Sequence, residues 1–148
     1  MKPEETIDFH IKYTWQAIVR MYNEVAKPFE MSMASGHVLL NIDIENGTPS
    51  TALGPRMGME ATSLSRVIKN LEDKGWIERR KNPQDGRGAL VFLTKSGLAK
   101  RQQARDAVIH FNTVLKQYLG EDQLKQLLIS LQAVNELIST QNIYQDVL

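Results

Sequence analysis

The spacing of apolar residues changes at Gly75, and this change limits the possible folds more than any other feature of the chain. From Glu60 to Lys74 the apolar positions Leu64, Val67, Ile68 and Leu71 fall three and four apart, as on one face of a helix. From Trp76 to Lys81, and again from Ala89 to Leu93, the period is two, with Ile77 alternating against Glu78 and Arg80. Between these runs lies Asn82-Pro83-Gln84-Asp85-Gly86-Arg87-Gly88, dense in turn-formers and carrying a cation. A helix that ends at a glycine and is followed by a two-stranded hairpin is therefore expected.

Upstream, Val38, Leu39 and Ile42 mark a helix from Ser35 to Glu45 that Asn46-Gly47 stops. A short segment, Ser50 to Met57, and a turn at Gly58 then precede the helix at Glu60. Short helix, tight turn and longer helix form a helix-turn-helix, and the hairpin behind it makes the unit a winged helix. The fold class expected is mainly α, a winged helix-turn-helix with a small β-hairpin wing, plus terminal helices.

Those terminal helices are long. Ile7, Ile11, Trp15, Ile18, Tyr22, Val25 and Phe29 predict an amphipathic helix over 6–27 that ends before Pro28. Thr94 is suited to cap another, whose buried stripe is expected at Leu98, Ala104, Val108, Phe111, Leu115 and Tyr118. Gly120 ends it, and Leu124, Leu127, Leu128, Leu131, Val134, Leu137 and Ile138 mark a last helix. This is more apolar surface than a winged helix of about 60 residues covers. Two arrangements bury it: a two-fold homodimer with interlocked helices, or a monomer whose helices fold back on their own domain. The first divides the chain into a dimerisation region, 1–34 and 95–148, and a DNA-binding domain, 35–94.

The formal charge of +1 conceals an uneven distribution. Residues 1–49 carry four basic and seven acidic side chains, residues 50–101 eleven and five, and residues 102–148 three and five. A basic middle fits a surface that meets a polyanion, or a fluctuation of no consequence. The outer face of the 60–74 helix is by itself equally an ordinary polar face; its position as second helix of the pair, with a basic wing following, favours the polyanion. At 100° per residue Thr62, Arg66, Lys69 and Asn70 lie opposite the apolar row, with Ser63 and Ser65 flanking them. Hydroxyls, an amide and cations on one face suit phosphates and base edges in a major groove. In the hairpin, Arg79, Lys81 and Arg87 are further expected DNA contacts, with Arg87 near the tip directed at a minor groove. Asp85 is assigned a structural role in the wing, holding the turn or orienting an arginine.

The runs Leu71-Glu72-Asp73-Lys74-Gly75-Trp76-Ile77-Glu78-Arg79, Asn82-Pro83-Gln84-Asp85-Gly86-Arg87 and Leu90-Val91-Phe92-Leu93-Thr94-Lys95-Ser96-Gly97 resemble those of the MarR (multiple antibiotic resistance regulator) family in order and spacing. The resemblance implies a dimeric winged-helix regulator, usually a repressor, that binds palindromic operators and is often released by a small, frequently aromatic, ligand. It places Thr62, Ser63, Ser65 and Arg66 in the recognition helix, and Asp85 and Arg87 in the wing signature. Two departures stand out. Glu60 replaces the usual Ser or Asp cap and brings negative charge towards DNA, and Gly54-Pro55 is expected to interrupt, shorten or kink the first helix of the pair.

For an aromatic effector the candidate contacts are His10, Tyr13, Trp15, Tyr22 and His37, with Met21, Met31 and Met33; each is more readily read as an ordinary core or dimer-interface residue. The three histidines have no metal-ligand spacing, there is no cysteine, and no phosphate-loop or nucleophile motif occurs, so no metal, no cofactor and no catalysis are expected. The start of the chain lacks a secretory signal and no apolar run approaches the roughly 20 residues of a membrane span, so a soluble cytoplasmic protein is expected. The function expected is DNA-binding transcriptional regulation as a homodimer. The alternatives are a winged helix docking an acidic protein partner and a small-molecule-binding protein with an incidental wing.

Overall fold

Ser32 begins the second helix, ahead of the expected start at Ser35. Its hydroxyl accepts the Ser35 N–H at 3.1 Å while the Ser35 hydroxyl accepts the Ser32 N–H at 2.7 Å, a reciprocal cap that satisfies two otherwise unpaired donors. In the computed structural model, which describes residues 2–84, 88–141 and 143, the helices are α1 (Ile7–Ala26), α2 (Met33–Asn41), α3 (Ser50–Met57), α4 (Ala61–Asp73), α5 (Lys95–Leu119) and α6 (Glu121–Thr140). The strands are β1 (Thr48–Pro49), β2 (Ile77–Lys81) and β3 (Ala89–Leu93). The architecture is the expected one, mainly helical with a small antiparallel sheet.

Helix α1 ends at Ala26, and Lys27–Phe29 forms a 3-10 turn that accommodates Pro28 and removes Phe29 from the helical stripe. Helix α2 is shorter than expected and stops at Asn41 rather than Glu45. The reason is Asp43: its carboxylate accepts the N–H groups of Glu45 and Asn46 at 2.9 and 2.8 Å, and its own N–H donates to the Thr48 hydroxyl at 2.8 Å. The residues following α2 are thereby held in a turn. That turn delivers β1, a strand too short to show a period, to one edge of the sheet, whose order is β1-β3-β2. Pro49 lacks an N–H and sits where an edge strand tolerates it.

The backbone N–H bonds to Asp43 hold its carboxyl below its ordinary value of 3.8. A group whose folded value is depressed adds stability above the unfolded value and loses it as pH falls through the folded one. Asp43→Ala is therefore expected to lower the melting temperature at neutral pH and to narrow its gap to the wild-type protein below pH 3.8. Melting curves of both proteins across that range check the sign.

The core is formed by Val38, Leu39 and Ile42 from α2 and its end, Leu53 from α3, Leu64, Ile68 and Leu71 from α4, and Trp76, Ile77 and Val91 around the sheet. Each fully buried aliphatic side chain contributes on the order of 2 kcal/mol. Gly54-Pro55 does not interrupt α3, which runs unbroken through Pro55 and ends in the left-handed Gly58, three residues later. Gly54 serves a packing need: a Cβ there would stand 3.3 Å from the Met59 carbonyl and 3.4 Å from Leu64, so α4 approaches closely.

The chain divides into two units, Met1–Ala107 and Val108–Leu148. In the first, the only α5 residues that are buried are Gly97 and Ala104, and no residue of α1 is buried. The stripe expected along α5 is only partly buried within a single chain: Ala104 is buried, Phe111 and Leu115 are half-buried, Leu98 and Val108 are exposed, and Tyr118 is 86% exposed. In the second unit no residue of α6 is buried. Among the described residues no helix is long and apolar enough to cross a membrane.

Candidate nucleic-acid interface

Helix α4 sorts its residues as its period requires. Leu64, Ile68 and Leu71 are buried with Val67 half-buried beside them, and Thr62, Ser63, Ser65, Arg66, Lys69 and Asn70 are all exposed. The six helical residues proposed from the sequence therefore lie on one continuous solvent face. Among the described residues neither Arg66 nor Lys69 forms an ion pair, so both charges are available to an external anion. Glu60 occupies the cap position with extended backbone, and its side chain makes no cap hydrogen bond. The first-turn N–H groups of α4 thus lack the side-chain acceptor that Ser or Asp would supply.

Strand β2 distributes its cations differently. Arg79, on the same strand face as the buried Ile77, reaches back to Glu72 of α4 at 3.1 Å. Arg80, on the opposite face, donates from Nε to Glu78 at 2.8 Å, makes a second contact with the same carboxylate, and stacks 4.2 Å above the Phe92 ring. Phe92 in turn lies against the backbone of Gly47, where a Cβ would come within 2.7 Å of the ring. Lys81 pairs with no carboxylate among the described residues. The expected wing contact at Arg87 and the structural role expected of Asp85 lie outside the described residues. The pairing of Arg79 was not apparent from the sequence, since Glu72 and Arg79 are on different elements.

An open groove of about 730 Å³ runs between α3 and the first half of α4, with Ser50, Thr51, Gly54, Pro55 and Met59 on one side and Ser65, Ile68 and Arg79 on the other. No spacing rule exposed it, because it depends on how close the two helices lie. The residues proposed for an effector are elsewhere. His10, Tyr13, Trp15 and Tyr22 are on α1, the first three exposed, and His37 is half-buried on α2. His10 bonds the Glu4 carbonyl at 2.8 Å, and burial pushes the Tyr22 hydroxyl above its ordinary value. Phe9, which was not among the candidates, is the ring that connects two of them, 5.6 Å from His10 and 4.5 Å from Tyr13. Among the described residues no three His, Cys, Asp or Glu side chains stand together as a metal site would require.

A model of the MarR family matches residues 31–88. Over 89 residues the chain is 34% identical to the multiple antibiotic resistance protein MarR of Escherichia coli, covering 60% of this chain and 62% of that protein. The matched stretches span about three fifths of the length of the curated relatives first matched. A solved structure of a mutant MarR from E. coli complexed with operator DNA is 30% identical, with a TM-score of 0.75 over 84% of this chain and 89% of that one. The S. aureus MepR–DNA complex has a TM-score of 0.82 over 88% of this chain and 97% of that one, at 19% identity, which speaks for the fold alone.

Proposed function

The chain belongs to the MarR family, and from that premise we propose that it is a homodimeric transcriptional regulator that binds palindromic double-stranded DNA and has no catalytic role. The observation that carries this reading is the outer face of α4, where hydroxyls, an amide and two cations that form no ion pair among the described residues are exposed together while the opposite row is buried. Such a face offers donors and acceptors at the spacing of base edges and phosphates. Thr62, Ser63, Ser65, Arg66, Lys69 and Asn70 form the proposed reading surface. Lys81 extends it along β2, and Arg87 extends it into the wing. Arg79, engaged by Glu72, is left out of this set.

Dimerisation through the terminal helices is supported by their uncovered apolar side chains, among them Ile7, Ile11 and Trp15 on α1 and Leu127, Leu128 and Ile138 on α6. Identical stripes satisfy a two-fold interface, and an exposed apolar surface of that extent is costly in water. The division into a dimerisation region at 1–34 and 95–148 and a DNA-binding domain at 35–94 follows from this. Two recognition helices would then enter successive major grooves about 34 Å apart. Repression in the cytoplasm, relieved by a small aromatic molecule contacting His10, Tyr13, Trp15, Tyr22 or His37, completes the reading.

A gel shift on random genomic fragments is the direct test. Sequence-selective retention is expected, and its absence at low salt removes the reading in favour of a protein-docking module. Arg66→Ala is expected to reduce discrimination between the selected operator and its single-base variants by about 1–3 kcal/mol, roughly 5- to 150-fold. An equal loss on every duplex assigns Arg66 to the phosphates instead of a base.

A further inference from the structure

We propose that Glu72 and Glu78 are specificity-determining residues that hold the β2 arginines off the DNA backbone and so suppress sequence-independent binding. The inference rests on the DNA-binding reading above. It begins with an asymmetry between two adjacent cationic surfaces. On α4, Arg66 and Lys69 are exposed and form no ion pair among the described residues. On β2, Arg79 and Arg80 are each matched by a carboxylate of the same chain, Glu72 at 3.1 Å and Glu78 at 2.8 Å.

The two pairs differ in geometry and converge in effect. Glu72 reaches Arg79 from α4, across the junction of helix and strand, and Glu78 reaches Arg80 along the strand. Arg80 is further fixed over Phe92, on the sheet face opposite Arg79. These four side chains carry no net charge, although β2 read as a sequence is strongly basic. The attraction of a protein to DNA without regard to sequence grows with the number of phosphates its cations neutralise. A cation already matched by a carboxylate releases few counterions, and the carboxylate repels a phosphate that approaches it. The unmatched charge is thereby left on the helix that reads bases and on Lys81, which extends that face, and is removed from the two arginines of β2.

Both pairs are solvent-exposed, with side-chain exposures of 42% and 39% for Arg79 and Glu72, and 60% and 47% for Arg80 and Glu78. Exposed pairs contribute little to stability, so neutralising the acids is expected to change binding and leave the fold in place.

The test titrates Glu72→Gln, Glu78→Gln and the double variant against a random-sequence duplex and against the operator selected by the wild-type protein, from about 50 to 200 mM salt. Each arginine released to a phosphate adds about 0.9 to the slope of log affinity against log salt, or about 3.5-fold across that range. The expected result is at least one such increment on the random duplex, tighter binding to it at the low-salt end, and a smaller operator-to-random ratio. Adding Arg79→Gln to Glu72→Gln is expected to return the slope to the wild-type value. Glu78→Gln, whose partner is held additionally by Phe92, carries the test alone if circular dichroism shows that Glu72→Gln does not fold. An unchanged slope in folded variants, with operator selection retained, overturns this inference and leaves the DNA-binding reading standing. Failure of the wild-type protein to select any operator overturns the reading, and the random-duplex slopes still decide whether the acids hold the arginines.

Discussion

Raising the salt concentration from 50 to 200 mM is expected to weaken binding of the dimer to its operator by roughly a thousandfold. The magnitude follows from the cations that the fold leaves free. Arg66, Lys69 and Lys81 are exposed on the proposed contact face and pair with no carboxylate among the described residues, which makes six such charges in a two-fold dimer. Six neutralised phosphates release counterions to give a slope of about −5 in log affinity against log salt. Fluorescence anisotropy with a labelled operator across that range measures it. A nearly flat curve shows that the face does not meet the DNA backbone, and a slope of about −9 is what four further cations, the two β2 arginines of each protomer, would give.

Gly97→Ala is expected to destabilise the first unit by about 3 kcal/mol or more, at the upper end of overpacking substitutions. A Cβ at Gly97 would lie 1.8 Å from the Trp76 carbonyl oxygen and 2.8 Å from its carbon, and a backbone carbonyl cannot rotate away as a side chain does. That carbonyl is fixed because it accepts the Thr94 N–H at 3.1 Å, while the Thr94 hydroxyl donates to the Gly75 carbonyl at 2.7 Å and accepts the Gly97 N–H at 3.1 Å. The Trp76 ring is flanked by Lys74 and Lys100, 4.7 and 4.9 Å from its centre, and these lysines donate to the Glu30 and Phe29 carbonyls. The start of α5, the end of α4 and the turn after α1 therefore meet at one place. Thermal unfolding followed by circular dichroism measures the loss. A melting temperature within a degree or two of wild type shows that α5 shifts without cost.

This junction gives a physical meaning to the sequence signatures that suggested the family. The glycine of Leu71-Glu72-Asp73-Lys74-Gly75 adopts a left-handed backbone at φ 68°, which ends α4 and turns the chain into β2. The threonine and glycine of Leu93-Thr94-Lys95-Ser96-Gly97 cap α5 and let it approach the Trp76 backbone. Those residues are recognisable in a sequence because one side chain, or the lack of one, is required at each position.

The exposed face of α4 was legible for a similar reason, since a helical period places Thr62, Arg66 and Lys69 opposite Leu64, Ile68 and Leu71 whatever the rest of the molecule does. The state of each charge was not. Arg79 and Arg80 read as two further cations until the fold brings Glu72 across to one and Phe92 beneath the other. Likewise Phe9, between His10 and Tyr13, contributes to an aromatic cluster that composition alone did not separate from its neighbours.

Local periodicity and turn chemistry were sufficient by themselves to specify the long helices and the two strands of the hairpin, which face of α4 is polar, and where Gly58, Gly75 and Gly120 reverse the chain. Those properties depend on residues a few positions apart, whose geometry the backbone dictates. Only the tertiary structure decided the early end of α2 at Asn41, the recruitment of Thr48–Pro49 as an edge strand, the unbroken passage of α3 through Pro55, the pairing of Arg79 with Glu72 and the seating of Arg80 on Phe92. Each of these depends on groups distant in the chain or on hydrogen bonds that compete with the helix, and their outcome follows from distances that a one-dimensional pattern does not contain.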